Sequence, residues 1–109
     1  MKLNVYSVKD VIAGDHPFIF EAPNDGMMER IVKGALLSKE QNVINTNLKD
    51  KDIFLVGERD TETGEIKGIM PIFVKHISEI RLALIKEIKI AKAEAGQENP
   101  TAEEVVNDD

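Results

Sequence analysis

The sequence predicts an α+β fold in which a small antiparallel sheet packs against two helices, in the order β-β-α-β-β-α. Two observations carry this prediction. Pairs of segments with apolar residues at every second position occur twice, and each pair precedes a longer segment whose apolar residues recur every three or four positions. Alternation is typical of strands with one buried face, and the longer period is typical of amphipathic helices. The 109 residues, 42% of them hydrophobic, are enough for one domain with one modest core.

The first half of the chain is predicted to contain two strands and one helix. Residues 2–10 alternate and predict the first strand, and the aromatic run 18–20, between two prolines, predicts a short second strand. The apolar residues then change to helical spacing, at Met27, Met28, Ile31, Val32, Ala35 and Leu36. Asn24 or Asp25 is the expected N-cap of this helix, since a short side-chain oxygen can accept a free amide of the first turn.

The second half repeats this order after a polar segment. Residues 39–52 are rich in Asn and are predicted to be mostly loop, long enough to be mobile or functional. Two alternating segments follow, 53–59 and 65–70, and Pro71 is expected to end the second because it lacks a backbone N–H. Helical spacing then continues for about twenty residues, at Ile77, Ile80, Leu84, Ile88, Ala91 and Ala95. Gly96 is a suitable C-cap for this helix.

The segment between the last two strands, residues 60–64, is either a metal-binding loop or a hairpin bend. A calcium-binding loop needs oxygen ligands at alternate positions and a bidentate acid well beyond its central Gly. Here Gly64 occupies the position of a third ligand, and Glu65 follows it at once. Gly64 can adopt the positive φ that a bulged hairpin requires. The segment is therefore predicted to be a bend that binds no metal.

The remaining reactive residues form no catalytic or metal-binding pattern in the sequence. The chain contains no Cys, which excludes disulfides and thiolate chemistry and favours a reducing compartment. The two histidines, His16 and His76, are expected to be a turn residue and a helix-start residue. Ser7 and Ser38 have no nearby base in the sequence that would activate them as nucleophiles. We therefore expect no enzymatic activity, no metal and no cofactor.

The net charge of −6 belongs mainly to the end of the chain. Residues 96–109 contain five acids and no base, and they are predicted to form a flexible acidic tail after a single domain that spans residues 1–95. Without these five, 15 of the 20 acids remain against 14 bases, so the domain is nearly neutral. Its charge therefore does not exclude a phosphate backbone as a partner.

Four basic residues on the predicted strands could form a small platform for single-stranded DNA. These residues are Lys2, Lys9, Arg59 and Lys67, and Tyr6 could add one stacking ring. Single-strand binding generally combines a basic groove with stacking aromatic residues. The four phenylalanines are expected to lie mostly in the core. The alternative is that the basic residues are ordinary solvated side chains scattered over the surface.

Three motifs, taken in order, resemble a known protein family. They are VYSVKD at residues 5–10, PFIFEAPNDG at residues 17–26 and DIFLVGERDTETGEI at residues 52–66. Together they are similar to the small nonstructural protein of gokushoviruses, microviruses with small circular single-stranded DNA genomes. The chain departs from that family in carrying Arg59 where an aromatic residue is usual, and its first helix lacks the common Ala-x-Arg-x-Phe motif. The resemblance covers about residues 1–71.

The resemblance implies a non-enzymatic phage protein that is made in the cytoplasm of the bacterial host and is absent from the virion. Proteins of this family are often described as DNA-binding, with a role in the replication and packaging of a single-stranded DNA genome. Two functions stay open. The protein binds single-stranded DNA non-specifically, or it recruits a phage replication or capsid protein without touching nucleic acid. No association with a membrane is expected.

The final helix is also predicted to mediate self-association. A helix of about twenty residues is roughly 30 Å long, which exceeds the face of a small four-stranded sheet. Leu82, Ile85 and Ile88 spread around this helix beyond a single stripe. Apolar side chains in excess of what the monomer covers typically mark a protein contact. A homo-oligomer, most simply a dimer, is therefore expected.

Overall fold

A computed structural model, which describes residues 1–95, confirms the α+β class and the order of the elements. The strands are β1 (Lys2–Asp10), β2 (Asp15–Ala22), β3 (Lys51–Asp60) and β4 (Ile66–His76), and the helices are α1 (Asp25–Leu37) and α2 (Ile77–Glu94). The strands form one antiparallel sheet in the order β2-β1-β3-β4. The predicted acidic tail, 96–109, and the predicted cap at Gly96 lie outside the described residues.

Both helices pack on the same face of the sheet, here called the covered face. Tyr6 and Val8 of β1 and Ile53 of β3 are fully buried there, in one cluster with Met28 of α1 and Ile80 of α2. Burying an aliphatic side chain of this size contributes about 1.5–3 kcal/mol. The core therefore lies between the two central strands and the two helices.

The opposite face, here called the open face, is packed against neither of the two described helices. Ser7 of β1 lies opposite Phe54 of β3, and Lys9 lies opposite Asp52. Because side chains alternate along a strand, these four point away from the core residues that separate them. The sheet therefore presents side chains from its central strands on a surface that no helix of residues 1–95 covers.

The start of α1 is fixed by its cap and by the core tyrosine. Asn24 is the N-cap, and its side-chain oxygen accepts a hydrogen bond from the backbone N–H of Met27 at 2.9 Å. The Tyr6 hydroxyl donates to Asp25 at 2.6 Å and accepts from Asn4 Nδ2 at 3.0 Å. Burial and the hydrogen bond to the Asp25 carboxylate raise the pKa of Tyr6 to about 12. Tyr6 thus joins β1 to the first turn of α1.

Polar side chains order the segment that the sequence predicts to be mostly loop. The side-chain oxygen of Asn42 accepts hydrogen bonds from two backbone N–H groups of the loop, each at 2.9 Å. The buried Lys51 ammonium donates to the carbonyl oxygens of Val43 at 2.7 Å and Thr46 at 2.8 Å. Lys51 is also the first residue of β3, so the strand begins two residues before its predicted start.

Pro71 lies within β4, so the prediction that it ends the strand is wrong. β4 is at the edge of the sheet, and its register with β3 is irregular at this point. Leu55 pairs with Ile72 and Gly57 pairs with Gly68, so one residue of β3 faces three residues of β4. A proline is tolerated on an edge strand or at a bulge because the neighbouring strand does not need its missing N–H.

The segment between β3 and β4 is a hairpin bend, as predicted. Gly64 has a φ of 80°, and its N–H donates to the carbonyl oxygen of Asp60 at 2.8 Å. The Asp60 carboxylate accepts hydrogen bonds from the backbone N–H groups of Glu62 at 2.8 Å and Thr63 at 3.3 Å. These two bonds lower the pKa of Asp60. The carboxylate at the start of the bend is therefore engaged in holding the backbone of the bend.

The exposed side of α2 differs from the predicted self-association surface. Ile85 is only 8% exposed and belongs to the core, so the prediction that it forms part of an exposed contact surface is wrong. Ile88 is half-buried. Leu82 is 56% exposed, but the residues one and two turns further along its side are Lys86 and Lys89. No helix within residues 1–95 is long and apolar enough to cross a membrane.

Candidate nucleic-acid interface

Four ring side chains form a row across the open face, here called the ring row. His16 of β2 contacts Phe54 of β3, with ring centroids 5.5 Å apart, and Phe54 contacts Phe73 of β4 at 5.8 Å. Both contacts are edge-to-face, an arrangement that aromatic pairs prefer. Phe73 contacts His76 at 4.8 Å. The row therefore extends from one edge strand to the other.

The pairing of β1 with β2 orients His16. Ser7 Oγ and His16 Nδ1 are 2.6 Å apart and form a hydrogen bond. This pair is a possible nucleophile and base that the sequence analysis did not find, because the two residues meet only after β1 and β2 pair. Ser7 is 1% exposed, and a buried hydroxyl offers a substrate no approach. We therefore assign Ser7 the role of orienting the ring.

Acidic residues hold the other end of the ring row. His76 Nδ1 is 2.6 Å from the Asp52 carboxylate, and His76 Nε2 is 3.9 Å from Glu79. The hydrogen bond to Asp52 is the main cause that raises the pKa of His76. A raised pKa means that the positively charged imidazolium persists to a higher pH than in an isolated histidine.

Replacing Asp52 by Asn should lower the pKa of His76 toward the ordinary value of about 6.5, because the charged partner is lost. The stabilisation from this pair is fully present below the unfolded-state pKa and disappears as the pH rises through the higher folded-state pKa. Wild-type stability should thus fall relative to that of Asp52→Asn as the pH increases through this range. Histidine ring signals followed by NMR during a pH titration give the pKa, and urea unfolding gives the stability. An unchanged pKa of His76 in the variant would contradict the assignment.

Two basic side chains lie on the open face. Lys9 Nζ is 5.4 Å from the centroid of the Phe54 ring, a cation–π contact. Arg59 binds the Glu21 carboxylate through both Nε and Nη2, with Nη2 donating to Glu21 Oε1 at 3.0 Å. This bidentate pair lowers the pKa of Glu21 and raises that of Arg59. Lys9 is therefore the cation placed directly beside the ring row.

The structure separates the residues of the predicted basic platform. Lys9 and Arg59 lie on the open face, whereas Lys2 and Lys67 point toward the covered face. Lys67 lies opposite Glu58 in the sheet, and Lys2 Nζ is 3.4 Å from the same carboxylate. The prediction that all four bases share one surface is therefore wrong.

The predicted stacking role of Tyr6 is also wrong, because its side chain is fully buried on the covered face. The accessible rings on the open face come from Phe54, Phe73 and the two histidines. From the sequence, the phenylalanines are expected mostly in the core and the histidines in a turn and at a helix start. Alternation shows that Phe54, which stands between Ile53 and Leu55, faces away from both of them.

A comparison with protein families indicates what kind of protein carries this surface. A family model described as Phage ORF5 protein matches residues 3–80. The chain belongs to the Phage ORF5 protein family. It is therefore a bacteriophage protein, which confirms the resemblance to a phage family. The ORF5 match covers the four strands, except Lys2 at the start of β1, and the whole ring row. No curated protein and no solved structure matches the chain.

Proposed function

We propose that this ORF5-family protein binds single-stranded DNA non-specifically through the open face of its sheet. The observation that supports the proposal is the ring row with Lys9 beside it. Every base has a flat face that can stack on an aromatic side chain, and a neighbouring ammonium group can bind a phosphate. Stacking of this kind needs unpaired bases, so the surface suits a single strand better than a duplex.

The proposed role is that of a non-enzymatic accessory protein in the replication and packaging of a single-stranded DNA genome, in the cytoplasm of the bacterial host. The phage family and the similarity to gokushovirus nonstructural proteins support this role. Lys9 contacts a ring of the row, and Arg59 is engaged by Glu21. The protein should therefore bind few phosphates, and we expect moderate affinity with a shallow salt dependence.

Phe73→Ala should weaken the binding of a fluorescein-labelled oligothymidylate by about 5- to 100-fold, the loss that follows from removing one stacking ring. Fluorescence anisotropy titration at low salt measures the dissociation constant. The matched control is Phe18→Ala. Phe18 is 43% exposed and Phe73 is 46% exposed, but Phe18 lies opposite Val8, so it points to the covered face. The Phe18→Ala variant should bind like the wild type.

A second pair of variants separates the open face from general charge effects. Lys9→Glu and Lys67→Glu change the net charge equally, but only Lys9 lies beside the ring row. We expect Lys9→Glu alone to weaken binding strongly and to reduce the slope of log affinity against log salt by about 0.7. If both variants lose the same affinity for the oligonucleotide, binding through the open face is contradicted. If the wild type binds no single strand at low salt, recruitment of a phage replication or capsid protein becomes the better proposal.

A further inference from the structure

The edge strand β4 exposes more large apolar side chains than any other described element. Five of them are between 42% and 85% exposed, namely Ile66, Ile69, Met70, Ile72 and Phe73. Ile66 and Phe73 point to the open face, whereas Ile72 lies opposite Leu55 and points to the covered face, so these side chains flank the outer edge of β4 on both faces. Their combined exposed area is on the order of 500 Å². Exposed apolar residues scattered singly are ordinary, but a patch of this size on a monomer typically marks a contact surface.

The backbone of β4 is open on its outer side as well. β4 is the last strand in the sheet order, so only one of its two edges pairs with another strand within residues 1–95. An exposed edge strand is a template for pairing with a further strand. Pro71 removes one backbone donor from β4, and the register is irregular at residues 69–71, so regular pairing with a further strand is interrupted at this point and is available on either side of it.

We propose that two copies of this chain associate through β4, edge to edge and antiparallel about a two-fold axis. Residues 68–74 of β4 contain no charged side chain, so the surface that matches this run best is a second uncharged run. A two-fold axis brings the same run of the second copy against it, because an isologous contact uses one patch twice. Complete burial of these side chains in both copies would remove on the order of 1,000 Å² from water, which reaches the lower bound for a specific interface. This area is an upper limit, because Phe73 also belongs to the ring row.

This arrangement places the predicted self-association on β4 and not on the exposed side of α2, where lysines follow Leu82. An antiparallel contact between two edge strands extends the four-stranded sheet to eight strands. It also places the two open faces on the same side of the extended sheet. The test of this contact uses the protein alone, so its result is independent of DNA binding.

The experiment is a measurement of mass in solution by light scattering at high micromolar concentration. We expect the wild type to have the mass of two chains and the double variant Met70→Glu with Ile72→Glu to have the mass of one. Both side chains are more than half exposed, so the strands should stay folded. Circular dichroism checks that the strands stay folded. If the double variant unfolds, the single variant Met70→Lys, at the most exposed of these positions, replaces it and should have the mass of one chain.

The matched control is the double variant Leu82→Glu with Ile90→Glu, which places two acids at similarly exposed apolar positions of α2. It should keep the mass of two chains. A wild type with the mass of one chain overturns the proposal. So does a β4 variant that keeps the mass of two chains, or an α2 variant that loses it.

Discussion

Gly57→Ala should lower the free energy of unfolding by about 3 kcal/mol, the upper end of the usual cost of overpacking. A Cβ atom at this position would lie 2.5 Å from the carbonyl oxygen of Lys67 on β4. The obstacle is a backbone atom, so no side-chain rotation can relieve the contact. Either β3 or β4 must move, and β3 is a central strand that also pairs with β1.

Gly68→Ala is the matched control, because Gly68 lies opposite Gly57 in the same pair of strands. No atom lies within 4 Å of the position that its Cβ would occupy. The added methyl should therefore be tolerated, with a change of roughly 0.5–1 kcal/mol in either direction. Urea unfolding followed by circular dichroism gives both values. If the two variants lose the same free energy of unfolding, the close approach of β4 to Gly57 is not the cause of the destabilisation.

Lys51→Met should destabilise the protein by about 1–3 kcal/mol, because the two loop carbonyl oxygens that the buried ammonium binds lose this donor. The methionine side chain keeps the apolar stem of the lysine but has no group that can bind Val43 and Thr46. These two bonds tie the loop before β3 to the first residue of that strand. We therefore also expect faster amide hydrogen exchange in the loop, measured by NMR or mass spectrometry.

Lys49→Met is the control for Lys51→Met, because Lys49 is an exposed lysine of the same segment. Its replacement should change the free energy of unfolding by less than about 0.5 kcal/mol. If Lys51→Met is no more destabilising than Lys49→Met, the buried ammonium does not hold the loop. Unchanged exchange of the loop amides would lead to the same conclusion.

Local patterns predicted the elements of this fold because their causes are local. The period of apolar residues placed both helices, and Asn24 and Gly64 marked a cap and a bend through their own backbone geometry. Pro71 was misjudged because its effect depends on strand order. A proline that would interrupt a central strand is acceptable in β4, which is an edge strand.

The candidate site was harder to predict, because alternation does not say which set of strand residues the helices cover. In β3 one set contains Ile53 and Leu55, and the other contains Phe54. All three residues suit a core, so only the packing of the helices decides between the sets. Tyr6 was misjudged for the same reason, since its side chain belongs to the set that the helices cover, where Asp25 of α1 accepts a hydrogen bond from its hydroxyl.

The strand order also determines when the sheet can form during synthesis. β1 is made first, yet it lies between β2 and β3, with Lys2 opposite Asp60. After β2 is complete, the ribosome must add the segment from α1 to the end of β3 before β1 gains its second neighbour, which takes about 2–8 s at usual elongation rates. During this interval one edge of β1 is unpaired. Because an unpaired edge is a template for a further strand, a neighbouring nascent chain can compete with β3 for that edge.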